Sequence, residues 1–453
     1  MNRIRTTIGV CVLALLVALA DCSRRPAGPE SLVIYFSCDT RGNIEPCGCT
    51  DHQYGGLPRR ATAIRADGSS ATLLVDVGDA TRGARDWDKL KFRYILAAMA
   101  KLGYAAVNVG WREVELGRDE LRRLAGASGP PFVSANVVDA ETLKPVVNPY
   151  VLTTIDGLRV AITGVLSREA RDVGAGLTVV DPEQALLKLL PELRPRADLI
   201  VLAANTSHEG MKRLAARLYE LDVILGGAVR QPTTTPERVN DSVLAAVADK
   251  GKVLGRMELR LDPSGSPSNW SGEVIELNET FRDDPEMKAV IDSMKREQRD
   301  KELSDTTTHE DLELIVSGKQ APGADRYVGA ASCRECHEEE YRVWHASKHA
   351  HAFETLAAKK YEYDRDCLEC HVVGLGLPDG YRSKKLTPHL AGVQCESCHG
   401  RGKRHVDLFC CKNSIDSGDR TLRAVTRAVC LRCHDGEKSP KYDYSTYWEQ
   451  IKH

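Results

Sequence analysis

The stretch Cys333-Arg-Glu-Cys-His-Glu-Glu-Glu-Tyr-Arg-Val-Trp-His-Ala-Ser-Lys-His-Ala-His-Ala-Phe353 places two cysteines three residues apart, a histidine directly after the second, and three further histidines within fourteen residues. The first element recurs. Cys367-Leu-Glu-Cys370-His371, Cys395-Glu-Ser-Cys398-His399 and Cys430-Leu-Arg-Cys433-His434 complete four copies of C-x-x-C-H. Two thiols at this spacing reach the two vinyl groups of one porphyrin, and the adjacent histidine then falls under the iron. Paired zinc knuckles also use C-x-x-C, but nothing in a zinc ribbon calls for a histidine after every knuckle. The reading is therefore four covalently attached c-type haems. They are attached through Cys333, Cys336, Cys367, Cys370, Cys395, Cys398, Cys430 and Cys433, with His337, His371, His399 and His434 as proximal ligands.

Iron with both axial positions filled needs a second ligand. Ten of the 13 histidines follow residue 326, and six of these stand outside the motifs: His345, His349, His351, His389, His405 and His453. Glu338 to Ala358 contains neither Pro nor Gly and reads as one helix. His345 lies eight residues past His337, about 12 Å along such a helix, so it cannot return to the iron of its own motif. His349 and His405 are the first choices as distal ligands and His389 and His351 the next, with His345 weaker and His453 read as a bystander.

Tyr327-Val-Gly, the first C-x-x-C-H, Trp344, Ser347-Lys-His-Ala350 and Gly392-Val-Gln-Cys-Glu-Ser-Cys-His-Gly400 followed by His405 resemble tetrahaem cytochromes of the c-554 type. The resemblance runs from Tyr327 to His434. It implies stacked haem pairs, mostly bis-histidine iron, one five-coordinate iron, and electron exchange with redox partner proteins. Arg401-Gly-Lys403 departs from the Pro-Gly turn of that family. The adjacent Cys410 and Cys411 read as free thiols on a loop.

Residues 31–275 differ in kind. Short apolar runs end in Gly, Asp or Asn (SLVIYFSCD, TLLVDVGD, AAVNVG, FVSAN, RVAITG, DLIVLAAN, DVILGG), with helical stretches such as WDKLKFRYILAAMAKLG between several of them. That alternation predicts an α/β fold with its polar residues at strand ends. The small haem region is predicted mainly α. Gly55-Gly-Leu-Pro-Arg-Arg-Ala61, Val77-Gly-Asp79 and Ser134-Ala-Asn-Val137 resemble the calcineurin-like metallophosphoesterases, specifically the catalytic domain of periplasmic 5′-nucleotidases.

That resemblance implies a two-metal hydrolytic centre, of whose ligands Asp39, Asp79 and His208 survive here. The family's D-x-H has become Asp39-Thr-Arg41, its G-N-H-E Gly110-Trp-Arg-Glu113, and its G-H-x-H Gly227-Ala-Val-Arg230. Guanidinium groups repel dications and offer no lone pair, so ordinary hydrolysis is not expected. Arg41, Arg112 and Arg230 together suggest an anion pocket. Cys38, Cys47 and Cys49 leave two alternatives, a metal or reactive-thiol site that they form with His52 or Asp39, or a disulfide joining Cys38 to Cys47 or Cys49.

Residues 1–20 read as a signal peptide, with a basic start, an apolar run too short for a confident span, and Ala18-x-Ala20 before a cleavage point. Leu19-Ala-Asp-Cys22 also resembles a lipoprotein signal, which would anchor Cys22 in a membrane, although Asp21 departs from it. Export to the periplasm follows from either. Residues 280–326 form a charged helix and a turn-rich linker, and the haem domain spans 327–453. A net charge of −2 over 453 residues gives no basic footprint for nucleic acid.

Overall fold

The computed structural model describes residues 28–46, 53–127, 129–168, 173–301, 325–409, 422–436 and 438–453. The signal region, Cys47, Cys49, His52, Cys410 and Cys411 lie outside them. The chain divides into two compact units. One is built from residues up to 43, 60–84 and 95–277; the other from 44–59, 85–94 and 278–453.

The first unit is a sandwich of two six-stranded sheets. One is ordered β14-β13-β1-β2-β3-β4, from β1 (Ser31–Ser37), β2 (Thr72–Asp76), β3 (Ala106–Asn108), β4 (Phe132–Val133), β13 (Val253–Leu261) and β14 (Pro267–Glu276). The other is ordered β11-β12-β10-β9-β7-β6, from β6 (Tyr150–Ile155), β7 (Leu158–Leu166), β9 (Leu199–Asn205), β10 (Val223–Gly226), β11 (Glu237–Val239) and β12 (Ser242–Ala246). A two-stranded ribbon of β5 (Val137–Asp139) and β8 (Leu177–Val179) completes it.

The central strands run parallel, β1 with β2 and β7 with β9 and β10. They are nearly continuous apolar runs because both faces are covered. Leu32, Ile34, Leu73 and Val75 meet Val160, Ile162, Val201 and Val223 between the sheets. The outer face of the second sheet packs on helices Pro182–Leu193 and His208–Arg217 through Leu186, Leu190, Met211 and Leu214. All seven apolar runs of the sequence contribute to these strands.

The second unit is mainly helical. Its apolar core is small: Phe353, Leu356, Leu368, Val372, Val373, Tyr381 and Leu390. The predicted single helix from Glu338 to Ala358 is two helices, Glu338–Ala346 and Ala352–Ala358. Ser347 turns extended (φ −82°, ψ 161°), and its hydroxyl donates to the Trp344 carbonyl at 2.6 Å, the local competition that makes serine a helix terminator. His349 and His351 therefore sit in and at the end of a turn rather than on opposite faces of one helix. The charged segment forms a helix over Pro285–Lys301. Among the described residues no helix is long and apolar enough to cross a membrane.

At Gly164 in β7 an added Cβ would lie 2.1 Å from Asn108 Oδ1 and 2.9 Å from the Val133 carbonyl. Asn108 is fully buried and its amide donates to the carbonyls of Val77 and Val165, so it cannot yield cheaply. Gly164→Ala should destabilise the α/β unit by about 1–3 kcal/mol, read as a lower urea midpoint with haem content unchanged.

Candidate haem centres and a metal-poor strand-end cleft

Each C-x-x-C-H closes one helical turn. The amide of His337 donates to Cys333 O at 2.9 Å, and that of His434 to Cys430 O at 2.9 Å, which brings the first cysteine and the histidine onto one face. Helices Arg365–His371 and Cys395–His399 carry the other two motifs. None of the eight attachment cysteines is joined in a disulfide among the described residues. The thiols of Cys333 and Cys395 share a hydrogen bond, as do those of Cys370 and Cys433, and Cys398 feels the charge of Cys430. The four motifs are thus nearest neighbours in the order first, third, fourth, second.

Three motif histidines face a second imidazole. Ring centres are 6.1 Å apart for His337 and His405, 6.0 Å for His349 and His434, and 5.9 Å for His399 and His453. Two imidazoles bound to one metal from opposite sides, with bonds of about 2.0 Å, have ring centres roughly 6 Å apart. The spacing therefore fits one iron between each pair. Burial holds His349, His399, His405 and His434 below the usual histidine range, favouring the neutral imidazole that ligates metal.

His371 makes no such ring pairing among the described residues. Its Nδ1 lies 2.7 Å from the Ala352 carbonyl, which fixes the tautomer and leaves Nε2 for metal. Nδ1 of His434 is held similarly by Ser439 Oγ at 3.0 Å. The small apolar core and these converging imidazoles suit porphyrins as filling. His345 and His351 face each other at 5.8 Å rather than a motif histidine, and His389 has no ring partner among the described residues. His453, read from the sequence as a bystander, instead lies against His399. Its only linear signal is the aromatic helix Tyr444–Glu449 just before it.

In the α/β unit the loops after β1, β2, β3 and β10 form a cleft. Asp39, Arg41, Asp79 and Ala228 all have left-handed backbone (φ 57°, 47°, 59° and 43°), a costly conformation that clusters at functional sites. The fully buried Glu113 carboxylate accepts the amides of Asp79, Ala80, Thr81 and Gly110 at 2.7–3.0 Å. Gly110 must be glycine, since a Cβ there would meet Asp79 N at 2.5 Å.

The surviving acids are engaged by protein groups. Asp39 is ion-paired with Arg41 and accepts Lys250 N at 3.4 Å. Asp79 accepts the Arg112 amide at 2.8 Å and the Asn205 side chain at 3.0 Å; Asn205 was not singled out by the sequence reading. His208 Nε2 lies 2.7 Å from Glu237, and Arg112 donates to the Arg82 carbonyl. Arg230 is exposed. The Cys38 thiol is buried, bonded to Gly78 O at 3.3 Å, and pushed up by burial and by Asp79. No group of three His, Cys, Asp or Glu among the described residues is disposed to hold a metal ion, so these side chains do not fit a two-metal centre. Of the residues expected to hold a metal there, Asp39 is engaged by Arg41 and His208 by Glu237, while Cys47, Cys49 and His52 lie outside the described residues. The three arginines do not gather either, since Arg41 and Arg112 are turned to Asp39 and to Arg82.

With this geometry in view, the comparisons with known proteins fall into two sets. Residues 332–400 match the family model for cytochrome c554 and c-prime. Cytochrome c-554 of Nitrosomonas europaea is 35% identical over 107 residues, 20% of this chain and 46% of that protein. A snake venom 5′-nucleotidase of Gloydius brevicauda is 27% identical over 312 residues, 59% of this chain and 52% of that protein. The crystal structure of a 5′-nucleotidase precursor from Thermus thermophilus superposes with a TM-score of 0.52 at 24% identity, covering 59% of this chain and 58% of that one. The chain spans about half the length of these curated relatives. It joins a cytochrome c-554-like region to a calcineurin-type, 5′-nucleotidase-like α/β region.

Asp76, fully buried beneath the cleft, accepts Ser37 Oγ at 2.6 Å and Gly78 N at 2.9 Å, yet burial raises its carboxyl from 3.8 to about 6. The folded chain therefore holds this proton more tightly than the unfolded one. The stability it confers is complete below about pH 4 and is lost as pH rises through about 6, by about 3 kcal/mol. Asp76→Asn should flatten that part of the pH profile of urea unfolding.

Proposed function

We propose that the protein is an exported tetrahaem c-type cytochrome that passes electrons between redox partner proteins. Its phosphoesterase-like unit binds a partner or ligand without hydrolysing phosphate esters. The observation that carries the reading is the facing of three motif histidines by a second imidazole at 5.9–6.1 Å, while the fourth, His371, has none among the described residues. In this reading His405, His453 and His349 are the distal ligands of the first, third and fourth haems. The second, under His371, keeps an open face.

Each attached haem supplies a one-electron couple. The chain's own residues set the rest. The cysteines fix the ring edges, His371 and His434 are oriented through Nδ1, and the thiol neighbours set a path from first to third to fourth to second motif. Attachment of c-type haem requires export, in keeping with the signal read in residues 1–20. Whether Cys22 carries a lipid is decided by the mass of the mature amino terminus.

The open face at His371 supports a second reading, an oxidoreductase acting there on a small nitrogen compound. The 5′-nucleotidase relatives support a third, a metal-dependent phosphohydrolase, against which stand Arg41 on Asp39 and Glu237 on His208.

Intact mass should show four haems. Carbon monoxide should bind one reduced haem, and His349→Ala, His405→Ala and His453→Ala should each turn one further haem high-spin, whereas His389→Ala should not. Turnover of hydroxylamine or nitric oxide at the open haem would replace the carrier reading by the oxidoreductase. Hydrolysis of nucleoside monophosphates should stay at background with added divalent metals; robust turnover abolished by Asp79→Ala would establish the phosphohydrolase.

A further inference from the structure

The helix Arg365–His371, which carries the second haem motif, is held at its N-terminus by a residue 273 positions away. Lys91 is 4% exposed, and its Nζ lies 2.9 Å from Asp364 Oδ1 and 2.8 Å from Asp366 Oδ2. Asp364 is the N-cap of that helix, its carboxylate accepting the Asp366 amide at 3.0 Å and its carbonyl accepting Cys367 N at 3.0 Å. The next residue, Arg365, stacks on Trp87 at 4.3 Å, and Arg85 covers the same ring at 4.1 Å. Tyr361, just upstream, lies under the Lys295 ammonium at 3.8 Å, and Glu45 pairs with Lys295 at 2.8 Å. All these residues belong to the same compact unit.

We infer that Lys91 is a positioning and charge-tuning residue for the second haem. Its ammonium fixes the N-terminus of the helix that presents Cys367, Cys370 and His371, and it neutralises one of two carboxylates there, the buried Asp364 and the half-buried Asp366. This rests on the haem reading of that motif and goes beyond it, because a segment from the 5′-nucleotidase-like part of the sequence becomes a structural and electrostatic component of a cytochrome centre. Lys91, Asp364 and Asp366 together carry one net negative charge. Removing the ammonium makes it two, which favours the oxidised, more positive iron. Removing Asp366 makes it zero, which favours the reduced iron. In a partly buried setting one elementary charge shifts the reduced-to-oxidised ratio by on the order of tenfold.

The test uses full-length wild type, Lys91→Met, Lys91→Arg and Asp366→Asn, with haem counted by intact mass and each haem followed by spectroelectrochemical titration. The high-spin haem should move to lower potential in K91M and to higher potential in D366N, by about a tenfold change in ratio, or 59 mV for one electron. K91R should restore it, and the three low-spin haems should move much less. Loss of one haem in K91M alone, regained in K91R, would support the positioning role. If K91M does not accumulate, D366N carries the sign test by itself. High-spin potentials that stay in place, or that shift the same way in both variants, would overturn the inference. A wild-type mass below four haems would instead remove the haem reading beneath it.

Discussion

The haem unit depends on one constraint: a cysteine and a histidine four residues on must share a helical face, and this happens four times in little more than a hundred residues. Its own apolar core amounts to a handful of side chains around Phe353 and Leu368, too few to order such a chain alone. What remains is done by polar anchors. The buried Glu396, inside the third motif, accepts the amides of Val328, Gly329 and Gly402, and Gln394 accepts that of Ala330. The first motif is thereby tied to the third by hydrogen bonds before any porphyrin is considered. Covalent rings then supply the apolar mass that the sequence lacks.

In the α/β unit the constraint is the opposite: the backbone survives a change of chemistry. Glu113 gathers four amides from the loops after β2 and β3, and this is what keeps Asp79 and its neighbours in strained conformations. A metal is not needed to hold that geometry. Arg41 offsets the charge of Asp39 and so reduces the attraction for a dication there, while Asp79 keeps neutral donors, the Arg112 amide and the Asn205 side chain. Fold similarity to 5′-nucleotidases thus coexists with acids that protein groups already engage.

The sequence made much of this legible. Covalent spacing is local, so the four motifs and their proximal histidines could be read directly, and strand runs such as DLIVLAAN declare themselves by apolar continuity. Distal histidines are long-range facts. His405 and His349, the first choices, lie with their rings against motif histidines, and so does His453, which nothing local in the sequence sets apart from an ordinary exposed side chain. The helix break at Ser347 turned on one hydroxyl competing for the Trp344 carbonyl. Strands β11 and β14 went unread because they are largely exposed or half-buried and carry few apolar residues, and the buried β12 because Ser-Val-Leu-Ala-Ala is too short a run to declare itself. Lys91 was beyond reach for a different reason. In WDKLKFRYILAAMAKLG it looks like an ordinary solvated lysine on an amphipathic helix, and only the meeting with Asp364 and Asp366 gives it a role.

The division between paired and unpaired imidazoles also orders the chemistry available to the chain. An iron with imidazole on both faces can only gain and lose electrons, and its ligands change little between states, which favours fast exchange. An iron with one free face can also form a bond to a small molecule, so in the proposed assignment the site under His371 is where carrier and catalyst would diverge. Its proximal ring is held through Nδ1 by a backbone carbonyl, a neutral acceptor that leaves the imidazole less electron-rich than a carboxylate would. At the start of its helix the fold sets the Lys91, Asp364 and Asp366 charges, with Glu369 inside the motif and Lys438 acting on Cys370. A weakly donating proximal ligand beside a net negative cluster sets two opposing influences on one iron, and the balance between them fixes where this centre stands relative to its three closed neighbours.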